Sequence, residues 1–295
     1  MILLTGATGT VGRALLPMLL ESGAEVRALV RDPRRLGRNR VEVRIALGDL
    51  GEMRDPLIRR QALRGVDTVI HLAAAIRDQP TGRVEELNGL ATARLLRAAE
   101  AAGVERFVFF SALGATEFQR TRFFRAKAAA ERAVARSPLQ TTIFAPSIVY
   151  DRDDPWVRLT RRLALLPGLP ISGKGQAAYQ PIWAQDVARC VMADLGRTDG
   201  EPRRYELAGP ETLTYEQMAR LVAKAAGTPR PIVHVPLNVV RLGLRALRRV
   251  MGNAAFATWE EAELLEVPMV SARGTADAEA LGVQPRAMAE VLGGA

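Results

Sequence analysis

Eight residues near the start of the chain, Thr5-Gly6-Ala7-Thr8-Gly9-Thr10-Val11-Gly12, set three glycines three apart, directly behind the apolar run Ile2-Leu3-Leu4. Glycine at such points permits a tight turn and close backbone approach. A helix starting there offers unpaired N–H groups and a positive dipole end to a pyrophosphate. The triplet alone is a weak signal, but the strand before it and the helical pattern after it point to the same use. Gly6, Thr8, Gly9, Thr10, Val11 and Gly12 are therefore candidate cofactor-binding residues. The end of the second strand, Leu29-Val30-Arg31-Asp32-Pro33-Arg34-Arg35, bears on which cofactor. An acidic residue there accepts from a ribose 2′-hydroxyl, whereas arginine accommodates a 2′-phosphate. Arg31 favours NADP(H), by about ten- to a hundredfold if its contact is charge-assisted. NAD(H) stays open, because Asp32 stands next to it and arginine is common throughout the chain.

A second set of residues could touch a reacting group. Ser111 follows Phe109-Phe110 at an expected strand end, where ligands bind in open parallel sheets; a helix-capping serine is the competing reading. Lys127 stands out by rarity, since of 41 basic residues only Lys127, Lys174 and Lys224 are lysine and 38 are arginine. Where arginine is the habit, a retained lysine suggests a place for a compact ammonium rather than a broad guanidinium; the alternative is a solvated helix lysine. Tyr150 and Tyr179 are the nearest tyrosines, with packing favoured over proton transfer, and His71 reads as a structural histidine.

These residues need a framework, and the first half of the chain supplies one. Short apolar runs at 2–4, 25–30, 41–45, 68–71, 106–110 and 141–144 alternate with helical stretches, the first from about Val11 to Glu21. That alternation predicts an α/β fold with a Rossmann-type, doubly wound parallel sheet covered on both faces. After Pro146 the beat becomes irregular. Residues 1–150 are read as the dinucleotide-binding domain, its sheet completed by 177–195. Residues 151–295 are read as a smaller, discontinuous substrate- or partner-side lobe, in which Thr214 and Gln217 have capping-box spacing at the head of a helix.

Composition narrows the function. The net charge of +9 invites nucleic acid, but the arginines are scattered among acids, aromatics are 5%, and no nucleic-acid-binding signature occurs. One cysteine, Cys190, and two histidines exclude a disulfide framework and a cysteine- or histidine-built metal site. No apolar run is long enough for a membrane span and no signal peptide is recognisable, so a cytoplasmic protein is expected. Residues 237–251 read as a helix with Arg241, Arg245, Arg248 and Arg249 on one face, either solvated or laid on an anionic membrane surface or a partner. Arg158, Arg161 and Arg162 before Leu163–Leu166 carry the same ambiguity.

Taken together, the glycine turn, Gly48-Asp49-Leu50, His71-Leu72-Ala73-Ala74 and Asn88 resemble the short-chain dehydrogenase/reductase superfamily. Phe109-Phe110-Ser111-Ala112-Leu113-Gly114, Lys127-Ala-Ala-Ala-Glu131 and Ile143-Phe144-Ala145-Pro146-Ser147 are similar to its atypical branch. In texture they resemble the NmrA-like proteins and relatives of the nucleotide-binding accessory subunit of respiratory complex I. The resemblance implies that Asp49 and Leu50 border the adenine and that Ala73, Ala74 and Pro146 line the cofactor path. It further implies that Asn88 positions the catalytic loop, Ser111 holds a substrate carbonyl, and Lys127 binds the nicotinamide ribose. Active members carry a tyrosine four residues before that lysine as general acid or base. Here the residue is Phe123, which has no proton to exchange. The expectation is a reductase-like protein acting on a small or hydrophobic, quinone- or carbonyl-type ligand without the usual tyrosine. The alternatives are a non-catalytic NADPH-binding sensor or assembly subunit and, more weakly, a sugar-nucleotide epimerase.

Overall fold

The computed structural model describes residues 1–49, 51–199, 201, 203–236, 238–240, 242 and 263–293. Its centre is a seven-stranded sheet, parallel throughout. In chain order the strands are β1 (Ile2–Thr5), β2 (Val26–Val30), β3 (Arg44–Leu47), β4 (Thr68–His71), β5 (Arg106–Phe110) and β6 (Gln140–Pro146). The seventh is formed by Arg203–Leu207, and the spatial order is that strand, then β6, β5, β4, β1, β2 and β3. The order reverses between β1 and β4, and in open α/β sheets the crevice at such a switch point is where ligands bind.

Successive residues of a strand point to opposite faces, and both faces of this sheet are apolar. Leu4 packs with α1 (Thr10–Glu21) and with the helix Ala184–Leu195, whereas Leu3 packs under α2 (Pro56–Leu63), α3 (Ala91–Ala101) and α4 (Arg122–Ala135). Cys190 lies in the first of these layers with no exposed surface, and burial pushes its thiol up to about 12. A smaller core follows, in which Tyr150, Val157, Tyr179, Met218 and Met288 gather beside the helices Pro155–Leu163 and Tyr215–Ala225. The second of those helices starts with the expected reciprocal cap between Thr214 and Gln217.

Two expected elements are placed differently. The third strand, expected at 41–45, is Arg44–Leu47, and Val41 ends a stretch of 3-10 turns, 89% exposed. Asp32 caps Pro33 there, which starts helical turns that consume the residues up to Val41. The segment 177–195, expected to complete the sheet, supplies a covering helix instead, while Ile182–Trp183 pairs with Val149–Tyr150 away from the main sheet. The place it was expected to fill belongs to Arg203–Leu207. The expected helix 237–251 falls almost wholly outside the described residues. Among the described residues no helix is long and apolar enough to cross a membrane, and no cluster of His, Cys, Asp and Glu could hold a metal.

Candidate functional site

The glycine turn joins β1 to α1, and two of its glycines are sterically required. Gly6 has φ +75°, and a side chain there would put Cβ 2.7 Å from the Ala73 nitrogen. At Gly12 an added Cβ would lie 2.2 Å from the Gly6 carbonyl oxygen, a backbone atom that cannot swing aside. Gly9 caps α1 without any side-chain hydrogen bond, so the first amides of the helix keep their capacity for a ligand.

Beside this turn lies a cleft of about 320 Å³. Gly6, Thr8 and Gly9 form one wall, Arg31 and Arg35 one end, Asp49 the β3 side, and Ala73 and Ala74 the β4 side. This is the donor set a dinucleotide needs: uncapped helix amides for the pyrophosphate, close backbone, and guanidinium groups at the far end. Asp32 caps the following turn, one carboxylate oxygen accepting from the Arg34 amide at 3.0 Å. Asp49 exchanges hydrogen bonds with Glu52, its carboxylate accepting from the Glu52 amide at 3.0 Å. Thr10, Val11 and Gly12 begin α1 behind the cleft. Leu50 lies outside the described residues.

Under the cleft, a chain of hydrogen bonds fixes the β4 side. The Ala73 amide donates to Thr5 Oγ1 at 3.2 Å, and Thr5 Oγ1 lies 2.7 Å from His71 Nδ1. His71 Nε2 lies 2.9 Å from Thr92 Oγ1, whose own proton goes to the Asn88 carbonyl at 2.7 Å. Since a carbonyl can only accept, Thr92 must accept from His71. The imidazole is thus assigned as the Nε2–H tautomer, with Thr5 donating to Nδ1. Burial, and secondarily the nearby Lys127, lower its pKa to about 3, so it is neutral. Asn88 sits in a single π turn, Glu86–Leu90, and pins the loop after β4 by accepting from the Ala75 amide at 3.0 Å and donating to the Ala75 and Val84 carbonyls.

The second group of residues lies farther along the same edge of the sheet. Ser111 follows β5, is 5% exposed, and its Oγ has no hydrogen-bond partner among the described residues, although its amide is fixed by the Phe144 carbonyl at 2.7 Å. Lys127, on α4, is 2% exposed. Its Nζ donates to the Phe110 carbonyl at 2.6 Å and lies 4.9 Å from the centre of the Phe109 ring and 5.9 Å from that of Phe123. Loss of solvation lowers the ammonium to about 7, an effect that Glu131 one turn on only partly opposes. Phe123 packs with Ala112, Phe124 and Val267. Pro146 ends β6, where its carbonyl accepts from Leu113 at 2.9 Å. None of Ser111, Lys127 and Pro146 lines the 320 Å³ cleft, so the expected site falls into two parts. Tyr150 and Tyr179 belong to neither. Both are buried in the smaller core, burial holds both hydroxyls protonated well above the usual range, and Tyr179 donates to the Leu265 carbonyl at 2.6 Å.

Three cleft residues, Gln79, Thr81 and Leu87, were not foreseen from the sequence. The turn signal Gln79-Pro80-Thr81-Gly82 marks a loop, but nothing local says that the loop folds back over the nucleotide turn.

Comparison with known proteins supports the fold and a nicotinamide cofactor. The profile of a family described as NAD(P)H-binding matches residues 6–195. The "(4-alkanoyl-5-oxo-2,5-dihydrofuran-3-yl)methyl phosphate reductase" of Streptomyces griseus is 31% identical over 83% of this chain and 81% of its own. The mitochondrial "NADH dehydrogenase [ubiquinone] 1 alpha subcomplex subunit 9" of Arabidopsis thaliana is 30% identical over 74% of this chain, a span that is 56% of the plant protein. The UDP-glucose 4-epimerase of Thermus thermophilus, solved with NAD, superposes with a TM-score of 0.74 at 20% identity, covering 99% of this chain and 96% of that one.

Proposed function

The chain belongs to the NAD(P)H-binding family, among the atypical, NmrA-like short-chain dehydrogenase/reductases, and from that premise we propose that it is an NADP(H)-dependent oxidoreductase for a small or hydrophobic quinone- or carbonyl-type substrate. The observation that carries the reading is Ser111. A buried hydroxyl without a partner is costly unless something completes it, and this one, unpartnered among the described residues, stands at the carboxyl end of β5 beside the buried Lys127. Ser111 donates to the substrate oxygen. Lys127, with ammonium donors left over after the Phe110 carbonyl, steadies the ribose. The nicotinamide, when bound, supplies or accepts the hydride. The NADP(H) preference rests on Arg31 and Arg35 at the cleft end.

Phe123 favours a second reading, a nucleotide-binding module that senses or assembles without turning over. The two separate in one experiment, single-turnover oxidation of bound NADPH against a panel of quinones and carbonyls by the parent and by Phe123→Tyr. Slow oxidation by the parent, accelerated about 10²-fold in the variant, is the expected outcome, since a positioned acid typically contributes that much or more. Activity in the variant alone supports the module, and oxidation by neither sinks the oxidoreductase reading.

A further inference from the structure

The loop from β4 to the π turn folds into a small hairpin, closed by reciprocal hydrogen bonds between Gln79 and Gly82 at 3.0 and 3.1 Å. Its tip forms part of the cleft wall through Gln79 and Thr81. On the far side the tip presses against Gly51, where an added Cβ would meet the Thr81 carbonyl oxygen at 2.5 Å. The hairpin therefore spans the opening from the β4 side to the β3 side. Among the described residues little apolar contact holds it there, since Pro80 and Thr81 are exposed and Val84 is buried only at its base.

Besides Asn88, a side chain from another element grips the base. Arg122, the first residue of α4, donates through Nε and Nη2 to Glu85 at 2.5 Å each. It also donates through Nη1 and Nη2 to Asp78 at 3.2 and 3.1 Å. Asp78 passes the restraint on by accepting from the Val84 amide at 2.9 Å. A planar guanidinium with five donors can grip two carboxylates in this way, and an ammonium cannot. The pairs are about one-third to one-half exposed, so they contribute little to global stability. Their effect falls on the position of the hairpin. Arg122 is also next to Phe123 and on the helix of Lys127, so the clamp joins the two parts of the site.

We propose that Arg122 is a positioning residue: by clamping Asp78 and Glu85 it keeps the hairpin tip over the adenosine end of the cleft and so sets how fast a bound nicotinamide dinucleotide leaves. This rests on the reading that the coenzyme occupies the cleft. The test is stopped-flow dissociation of NADPH and of NADH from the parent, from Arg122→Met, and from the double variant Asp78→Asn with Glu85→Gln, which leaves α4 intact. Release is expected to quicken about three- to tenfold for both coenzymes in both variants, as loss of a restraint acts mainly on off-rates, with the NADPH-to-NADH affinity ratio unchanged. Unchanged release overturns the proposal, even if melting temperature falls, because the clamp is then only structural. A change confined to NADPH also overturns it, since the clamp then acts through the 2′-phosphate. Should Arg122→Met fail to fold, the carboxylate variant decides alone. A parent that binds neither dinucleotide removes the coenzyme reading itself, an outcome distinct from binding with unaltered release.

Discussion

The nucleotide turn and the end of β5 sit on the same edge of one sheet, yet they are built by opposite means. At the turn, shape comes from backbone: Gly6 and Gly12 leave no room for a methyl group, and the polar side chains beneath are all paired, from Thr5 through His71 and Thr92 to Asn88. At the end of β5, shape comes from side chains, and polar satisfaction is incomplete. Ser111 Oγ is unpartnered among the described residues, and Lys127 is buried with a backbone carbonyl and two phenyl rings as its near neighbours. A region specified by backbone tolerates almost no substitution but accepts any ligand that fits amides. A region specified by side chains can change its chemistry by one residue.

The sharpest way to break this contrast is Gly12→Ala. Its Cβ would meet a main-chain oxygen of the turn, so the variant is expected to stay folded and lose at least about 10²-fold in affinity for NADPH and NADH alike, the register of an anion-binding turn being set by its amides. Calorimetry that finds binding intact would show the turn to be more pliable than its geometry implies.

Next in size is Arg31→Ala. A charge-assisted contact to the 2′-phosphate predicts a loss of about ten- to a hundredfold in NADPH affinity, with NADH nearly unaffected. Equal losses for both coenzymes would place Arg31 on the shared pyrophosphate instead.

The smallest effect concerns the β5 end alone. Lys127 titrates at about 7 when folded against an ordinary 10.5, so between these values the unfolded chain binds more protons than the folded one. Stability on this account rises with pH from 7 to 10.5, and the penalty of burying the ammonium is full below 7. Lys127→Met is therefore expected to raise the melting temperature most near pH 6, by roughly 2–4 °C for each kcal/mol relieved, and hardly at pH 10.5. A gain independent of pH would mean that packing, and not charge, is what Met improves.

How much of this could be read beforehand follows the same division. The turn was legible because glycine spacing, a preceding apolar run and a helical pattern are all local, and the parallel sheet followed from buried strands alternating with helices. The third strand was misplaced because its apolar signal is faint: it lies at the sheet edge with Leu47 64% exposed, and the Asp32–Pro33 cap draws the residues before it into helical turns. The seventh strand reads Arg-Arg-Tyr-Glu-Leu, an edge strand in which charged residues hide the alternation of buried Tyr205 and Leu207. Ser111 and Lys127 could be named from type and spacing, but their isolation from the cleft could not. Gln79 and Thr81 were missed because nothing local ties their loop to the cleft, and Arg122, which grips its base, lies 44 residues beyond Asp78.

The tautomer imposed on His71 has a consequence for how protons can move in this protein. The chain has two histidines. One is locked between two threonine hydroxyls and stays uncharged until about pH 3, and the other, His234, pairs with Glu216 on the surface of the smaller lobe. His71 is thus not free to relay a proton to a ligand near Ser111. Any turnover must draw its protons from other groups or from solvent, and an inflection of its rate near neutrality would point to Lys127, which titrates at about 7, and not to His71.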